Sequence, residues 1–336
     1  MTRPVLPPRA RTAVPALTTA LILSACTGAP VAPDADTPDG GGTFPVTVTN
    51  CDREVTVEAA PERVITLNQG ATEVVLALGL EDQLVGTAYL DDAVSPAWAA
   101  AYEEVPVLAK EYPTNEQVLA AEPDFVYASY ASAFEAKVAG ERDVLANSGV
   151  GTYLSPFGCP EAGQRPEATF EAAWQALRDV ASLLGAPESA THLVAAQEES
   201  LSAIEDAAPG AGFDVVWFDS GDKTPFVGGG DGGPQLILDA LGATNVFEDL
   251  EGGWGDGNWE DVLAADPDVI VLADAAWSTA KEKRAYLEKD PVLRDLEAVQ
   301  AGAFITVPFS ATTPGVRLVD GASTVADAID ALDPLP

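Results

Sequence analysis

Histidine is nearly absent: His192 is the only one in 336 residues. Zinc centres built on imidazole and Ser-His-Asp triads both need histidine in a pocket, so neither chemistry suits this chain. Basic residues are also scarce. Seventeen Lys plus Arg stand against 53 Asp plus Glu, for a formal net charge of −36. Such a surface repels phosphate and lacks the basic stripe that counterion release requires, which argues against a nucleic-acid partner. It equally disfavours an anionic bilayer as a partner for the folded body, though not a lipid anchor. Hydrophobic residues still make up 47% of the chain, enough for a large core, and the length suits two lobes or one large domain. The acidity fits a ligand-driven cause or a host that makes acidic, soluble proteins.

The N-terminus reads as an address. Arg3, Arg9 and Arg11 precede an uncharged stretch from Thr12 to Ala25, whose apolar part spans Ala13–Leu23. That is about half of the ~20 residues a spanning helix needs, so residues 1–25 read as a signal peptide. The stretch ends Leu23-Ser24-Ala25-Cys26, which resembles the lipobox of bacterial lipoproteins and makes Cys26 the expected lipidation site. Residues 26–43 hold Pro30, Pro33, Pro38 and Gly40–Gly42 without apolar periodicity, as in a disordered tether. The expected location is therefore extracytoplasmic, anchored to the cell membrane by Cys26. With Cys26 lipidated, Cys51 and Cys159 remain of the three cysteines. An oxidising compartment permits a Cys51–Cys159 disulfide, and two unpaired buried thiols are the alternative.

The body contains a repeat. Glu116-Gln-Val-Leu-Ala-Ala-Glu-Pro-Asp124 matches Glu260-Asp-Val-Leu-Ala-Ala-Asp-Pro-Asp268, and each runs into an apolar stretch that reads as a buried parallel strand. Thr114 and Asn258 are placed to cap the two short helices. Upstream, Glu73–Gly79 and Gln235–Gly242 are a second pair of echoes, amphipathic helices ending at a glycine, each preceded by a strand, Arg63–Leu67 and Asp214–Phe218. The order predicts an α/β fold of two Rossmann-like lobes with parallel sheets, 44–167 and 209–336. Residues 168–208 join them as a long connecting helix, with Phe170, Trp174, Leu177, Val180, Leu183 and Leu184 at helical spacing and a break at Gly185-Ala-Pro187.

Together these segments, with Pro61–Leu67 and Asp82–Gly86, resemble the class III substrate-binding proteins of bacterial ABC importers, which serve ferric siderophores, haem and cobalamin. The resemblance covers about residues 44–333. It implies a class III periplasmic-binding-protein fold, no enzymatic activity, no cofactor, and one small-molecule ligand held between two lobes by a monomer. It also implies delivery to an ABC permease and ATPase, with Glu116 and Glu260 as the permease-docking carboxylates. An acid in the first turn of a helix is otherwise explained by the helix dipole alone.

In open α/β sheets ligands bind beyond the carboxyl ends of strands. Residues in those places are Asn68, Gln69, Tyr89, Tyr112, Tyr127, Tyr130, Phe226, Trp254, Trp277, Phe309 and Arg317. Phe226, Trp254 and Arg317 also occupy places similar to pocket positions of the family. So many aromatics suit a large, flat or greasy ligand. Lys110, Lys223 and Arg317 face a larger set of acids, Asp91, Asp92, Asp219, Asp222 and Asp274, which favours a neutral or cationic ferric chelate or a corrinoid over an anionic catecholate complex. Gly228–Gly233 before Pro234 reads as a flexible loop. If it cradles an anion, the resemblance also admits a phosphorylated deazaflavin precursor, a role assigned to some relatives of the family. Tyr127 and Tyr130 are hard donors suited to bare ferric iron but lack a companion ligand, so no metal site is expected. A surface-anchored sensor or a hydrolase using paired carboxylates are the competing classes, although the repeated Glu helices have no purpose in a hydrolase.

Overall fold

The computed structural model describes residues 42–332. The expected signal peptide, Cys26 and nearly all of the 26–43 tether lie outside the described residues. The chain that follows builds two α/β lobes.

In the first lobe five parallel strands lie in the order Val107–Ala109, Leu84–Ala88, Val64–Leu67, Phe125–Ala128, Gly151–Leu154. The inner strands are mostly apolar on both faces, with buried Thr66 and Thr87 hydrogen-bonded to each other at 3.2 Å. Val64, Phe125 and Tyr127 enter one core, whereas Ile65, Leu67, Val126 and Ala128 enter another. The second lobe repeats the plan in the order Trp254–Asp256, Phe226–Gly228, Asp214–Ser220, Val269–Asp274, Phe304–Pro308. Here too the faces alternate: Val215 and Trp217 pack on one side, Val216 and Phe218 on the other.

One edge of the second lobe departs from the all-parallel expectation. Phe226–Gly228 runs antiparallel to Asp214–Ser220, and Trp254–Asp256 runs antiparallel to Phe226–Gly228. Two reversals restore the original direction, so Trp254–Asp256 occupies the place that Val107–Ala109 holds in the first lobe. The short strand Thr244–Asn245 pairs in parallel with the start of Asp214–Ser220. The glycine run lies in this excursion and is closely packed. A Cβ on Gly230 would lie 2.0 Å from the Glu248 carbonyl oxygen, and one on Gly233 2.0 Å from that of Thr312. Close approach of neighbouring backbone therefore accounts for these glycines, in place of the loop flexibility expected from composition.

The repeat extends to its local chemistry. Thr114 Oγ1 and Asn258 Oδ1 accept hydrogen bonds from the first turns of helices Asn115–Ala120 and Trp259–Ala265. Glu122 and Asp266, equivalent in the repeat, both leave their helices with left-handed φ, 47° and 44°. The following Asp124 carboxylate accepts from the Glu62 and Arg63 amides at 2.8 and 2.9 Å, and Asp268 accepts from the Asp214 amide at 2.8 Å. Each Pro-Asp thus holds the start of its lobe's central strand against the strand that follows it.

The connector is two helices, Phe170–Leu184 and Pro187–Ala207, turning at Gly185 with φ 83°. Trp174, Leu177, Val180, Leu183 and Leu184 are buried, as the helical spacing predicted. Trp174 Nε1 donates to Gln197 Oε1 at 2.7 Å, and Gln197 Nε2 donates to the Val316 carbonyl at 2.7 Å, so the connector also fixes a segment of the second lobe. Cys51, in the turn of the hairpin Val46–Asn50/Arg53–Val57, is bonded to Cys159, with Cα atoms 5.6 Å apart. The unpaired-thiol alternative is thereby set aside.

Candidate functional site

Strands buried on both faces can present polar side chains only at their ends. In both lobes the carboxyl ends open on one cleft of about 720 Å³, a volume typical of small-molecule sites. The first lobe contributes Glu73, Asp91, Tyr127, Ser129, Tyr130, Ser155 and Phe157; the second contributes Asp219, Ser220, Phe226, Trp254, Trp277, Phe309, Ser310 and Arg317. Ala173, Ala176 and Leu177 of the connector also line it.

The second lobe's wall is a continuous aromatic strip. Phe226 stacks on Trp254 with centroids 6.3 Å apart and planes 12° apart, Trp254 lies 5.6 Å from Phe309, and Phe309 meets Trp277 edge-on at 4.7 Å. The antiparallel excursion creates the first contact, because it brings Phe226–Gly228 and Trp254–Asp256 side by side. Trp277 is 51% exposed and Tyr130 40%, so both keep large apolar surfaces open to the solvent.

A polar network crosses between the lobes. Arg317 Nη1 lies 3.3 Å from Glu73 Oε1 and donates to Ser310 Oγ at 2.6 Å. Asp92 accepts from the Ser310 amide at 2.7 Å and from its hydroxyl at 2.9 Å. Gln69 Nε2 donates to Asp92 at 2.7 Å, and the Ala276 amide donates to the Asp91 carbonyl at 2.8 Å. Burial pushes the Glu73 carboxyl up, opposed chiefly by the Arg317 charge. Asp91 is raised to about 7, first by burial and then by the charges of Asp92 and Glu73. Burial pushes the Tyr127 phenol up as well. Among the described residues no group of three or more His, Cys, Asp or Glu side chains is arranged to hold a metal ion.

Of the residues expected here, Tyr127, Tyr130, Phe226, Trp254, Trp277, Phe309 and Arg317 line the cleft. Asn68, Gln69, Tyr89 and Tyr112 do not. Asn68 Nδ2 donates to the Tyr112 hydroxyl at 3.0 Å, Tyr112 packs edge-on against Tyr89, and Gln69 is buried in the interlobe network. The short strands end one to three residues before these side chains, which turn back into their own lobe. Lys110 and Lys223 are exposed and lie outside the cleft lining. Sequence reasoning missed Glu73 as a site residue, together with Arg165. Glu73 had a signal: an acid in a helix, Gln69–Ala77, that is buried nearly all round needs a charged partner. Glu116 and Glu260 are both exposed. Each begins a helix leading to the strand beside its lobe's central strand, and such crossover helices start at the carboxyl edge of the sheet.

Residues 64–311 match the periplasmic binding protein family. The chain is 24% identical to an uncharacterized ABC transporter substrate-binding lipoprotein of Bacillus subtilis, YvrC, across 93% of this chain and 94% of that protein. It is 25% identical to a cobalamin-binding protein of Halobacterium salinarum, across 89% of this chain and 78% of the relative. Among solved structures, a periplasmic binding protein from Veillonella parvula superposes with a TM-score of 0.73 at 28% identity, covering 86% of this chain and 98% of that one. An ABC-type Fe3+-hydroxamate transport system structure from Saccharomonospora viridis shares the fold, with a TM-score of 0.71 at 24% identity over 85% of this chain and 99% of that one.

Two outcomes follow from the buried charges. Arg317→Met, which strands Glu73, should cost about 3–5 kcal/mol of unfolding free energy, and adding Glu73→Gln should recover much of it; urea unfolding of the four-member cycle checks this, and additive losses would contradict the coupling. A carboxyl raised in the folded state favours folding below its unfolded pKa and loses that contribution as pH rises through the folded value. Between pH 4 and 8 Asp91 should therefore cost roughly 1–4 kcal/mol. Asp91→Asn should unfold at higher urea than wild type at pH 8 and about equally at pH 4, and a less stable variant at pH 8 would contradict the assignment.

Proposed function

The chain belongs to the periplasmic binding protein family, a family of binding rather than catalytic components, and from that premise we propose that it is the lipid-anchored, extracytoplasmic receptor of an ABC importer. It captures an iron–siderophore-type chelate between its lobes and delivers it to a permease. One observation carries the reading: a cleft shared by two repeated lobes has one wall made of stacked aromatics and the other of tyrosines and carboxylates. Aromatic faces bury a large ligand by area, whereas the few polar groups orient it. A corrinoid is the second reading, favoured by the likeness to the cobalamin-binding protein of Halobacterium salinarum.

Glu116 and Glu260 serve as docking points in this account. Both are exposed, both start helices at equivalent places, and an arginine on a permease would meet each carboxylate with bidentate geometry. Anchorage through Cys26 keeps the body beside the permease, and the 26–43 tether leaves it room to dock.

Tryptophan fluorescence tests the ligand, because Trp254 and Trp277 line the cleft. Ferric hydroxamates, haem and cobalamin added separately should include one that quenches saturably. Ferric hydroxamate quenching supports the siderophore reading, quenching by cobalamin alone supports the corrinoid one, and silence toward all three refutes both. For docking, Glu116→Lys with Glu260→Lys should abolish uptake by cells while leaving quenching unchanged; undiminished uptake would remove the docking role.

A further inference from the structure

The cleft's charges are unequally committed. Of its two arginines, Arg317 is bonded to Glu73 and Ser310, and Arg165 donates from Nε to the Cys159 carbonyl at 2.6 Å and from Nη2 to the Pro160 carbonyl at 3.1 Å. Two of its carboxylates are also engaged, Glu73 with Arg317 and Asp231 with the Gly252 amide at 2.7 Å. Asp91 of the first lobe and one oxygen of Asp219 in the second remain, the other Asp219 oxygen accepting from the Ser220 hydroxyl at 2.9 Å.

Asp219 is only 4% exposed, yet its Oδ1 is buried without a hydrogen-bond partner. A buried carboxylate oxygen normally accepts at least one hydrogen bond, and leaving it bare is costly. The nearby Lys283 is also buried but directs its ammonium group to the carbonyls of Ala273 and Ser278. Asp91 has its backbone held on both sides, the amide by Gln69 Oε1 at 2.8 Å and the carbonyl by the Ala276 amide, while its carboxylate makes no side-chain hydrogen bond among the described residues. The backbone is fixed and the carboxyl is left without a partner.

We infer that Asp91 and Asp219 select ligands bearing a cationic group, a protonated amine or amidinium, on an otherwise apolar chelate body. This rests on the reading that the cleft holds the ligand. Three features support it. The unsatisfied Asp219 oxygen needs a donor that the protein does not supply. The aromatic strip of Phe226, Trp254, Phe309 and Trp277 attracts cations to its ring faces. The chain's −36 charge draws cations toward the protein before contact. An anionic ligand would meet Asp91 and the bare Asp219 oxygen, whereas Arg317 is paired with Glu73 and Arg165 is held by two backbone carbonyls.

A matched pair of probes tests the assignment on the purified protein. Ferrioxamine B is a ferric trihydroxamate with a free ammonium arm, and N-acetylation of that arm removes the charge while keeping the iron-bearing body. Wild type should bind the ammonium form at least tenfold more tightly by fluorescence or calorimetry, and the margin should shrink as salt rises. Asp219→Asn and Asp91→Asn should each reduce the margin, with far-ultraviolet circular dichroism confirming that they fold; the wild-type pair alone decides the question if one does not. Equal affinity, preference for the acetylated form, or a margin that survives both substitutions overturns the inference. Binding of neither form overturns it too. If haem or cobalamin quenches in that case, the cleft reading stands without it; if nothing quenches, both fail.

Discussion

A buried ion pair ties the two lobes together. Glu73 is 1% exposed and Arg317 7%, and each belongs to a different lobe. Charges removed from water persist only when paired and hydrogen-bonded, so separating these two must admit water or strand both. That requirement couples lobe separation to the state of the cleft, because both residues also line it. Ser310, Asp92 and Gln69 extend the same network, and Gln197 holds the Val316 carbonyl next to Arg317. The geometry of the binding surface is therefore set by polar contacts as much as by the hydrophobic cores behind it.

Those cores explain why a repeat suffices to make a site. Each lobe buries its central strands on both faces, which leaves the carboxyl edges as the place for chemistry. Asp124 and Asp268 fix the starts of those strands by accepting from the amides of Arg63 and Asp214, with Asp124 also holding the Glu62 amide. Two similar frameworks then present different walls: tyrosines and carboxylates on one side, a stacked aromatic strip on the other. The difference arises where the second lobe breaks its parallel order, since the reversed strand Phe226–Gly228 sets Phe226 against Trp254.

The parts of this architecture that follow from local rules were legible in the sequence. The caps Thr114 and Asn258, the Pro-Asp helix ends, the break at Gly185 and the apolar stripe from Trp174 to Leu184 each have a neighbour-to-neighbour cause. So did seven of the cleft residues, because strand ends were readable. The Glu73–Arg317 pair was not, since its members lie far apart in the chain and only tertiary structure brings them to 3.3 Å. The glycine run misled for a related reason: composition suggests looseness, whereas close backbone contact with Glu248 and Thr312 demands glycine there. Asn68, Gln69, Tyr89 and Tyr112 sit at or near strand ends as expected, but their side chains find partners inside the first lobe.

The central claim is that the ligand is held by both lobes at once. A crystal structure of the protein with a bound ferric chelate tests this most directly. The account expects the chelate between the Trp254–Phe309 strip and the Tyr127–Asp91 wall, touching residues of each lobe. A chelate seated on one lobe alone, for example in the smaller groove lined by Phe134 and Arg142, would contradict it.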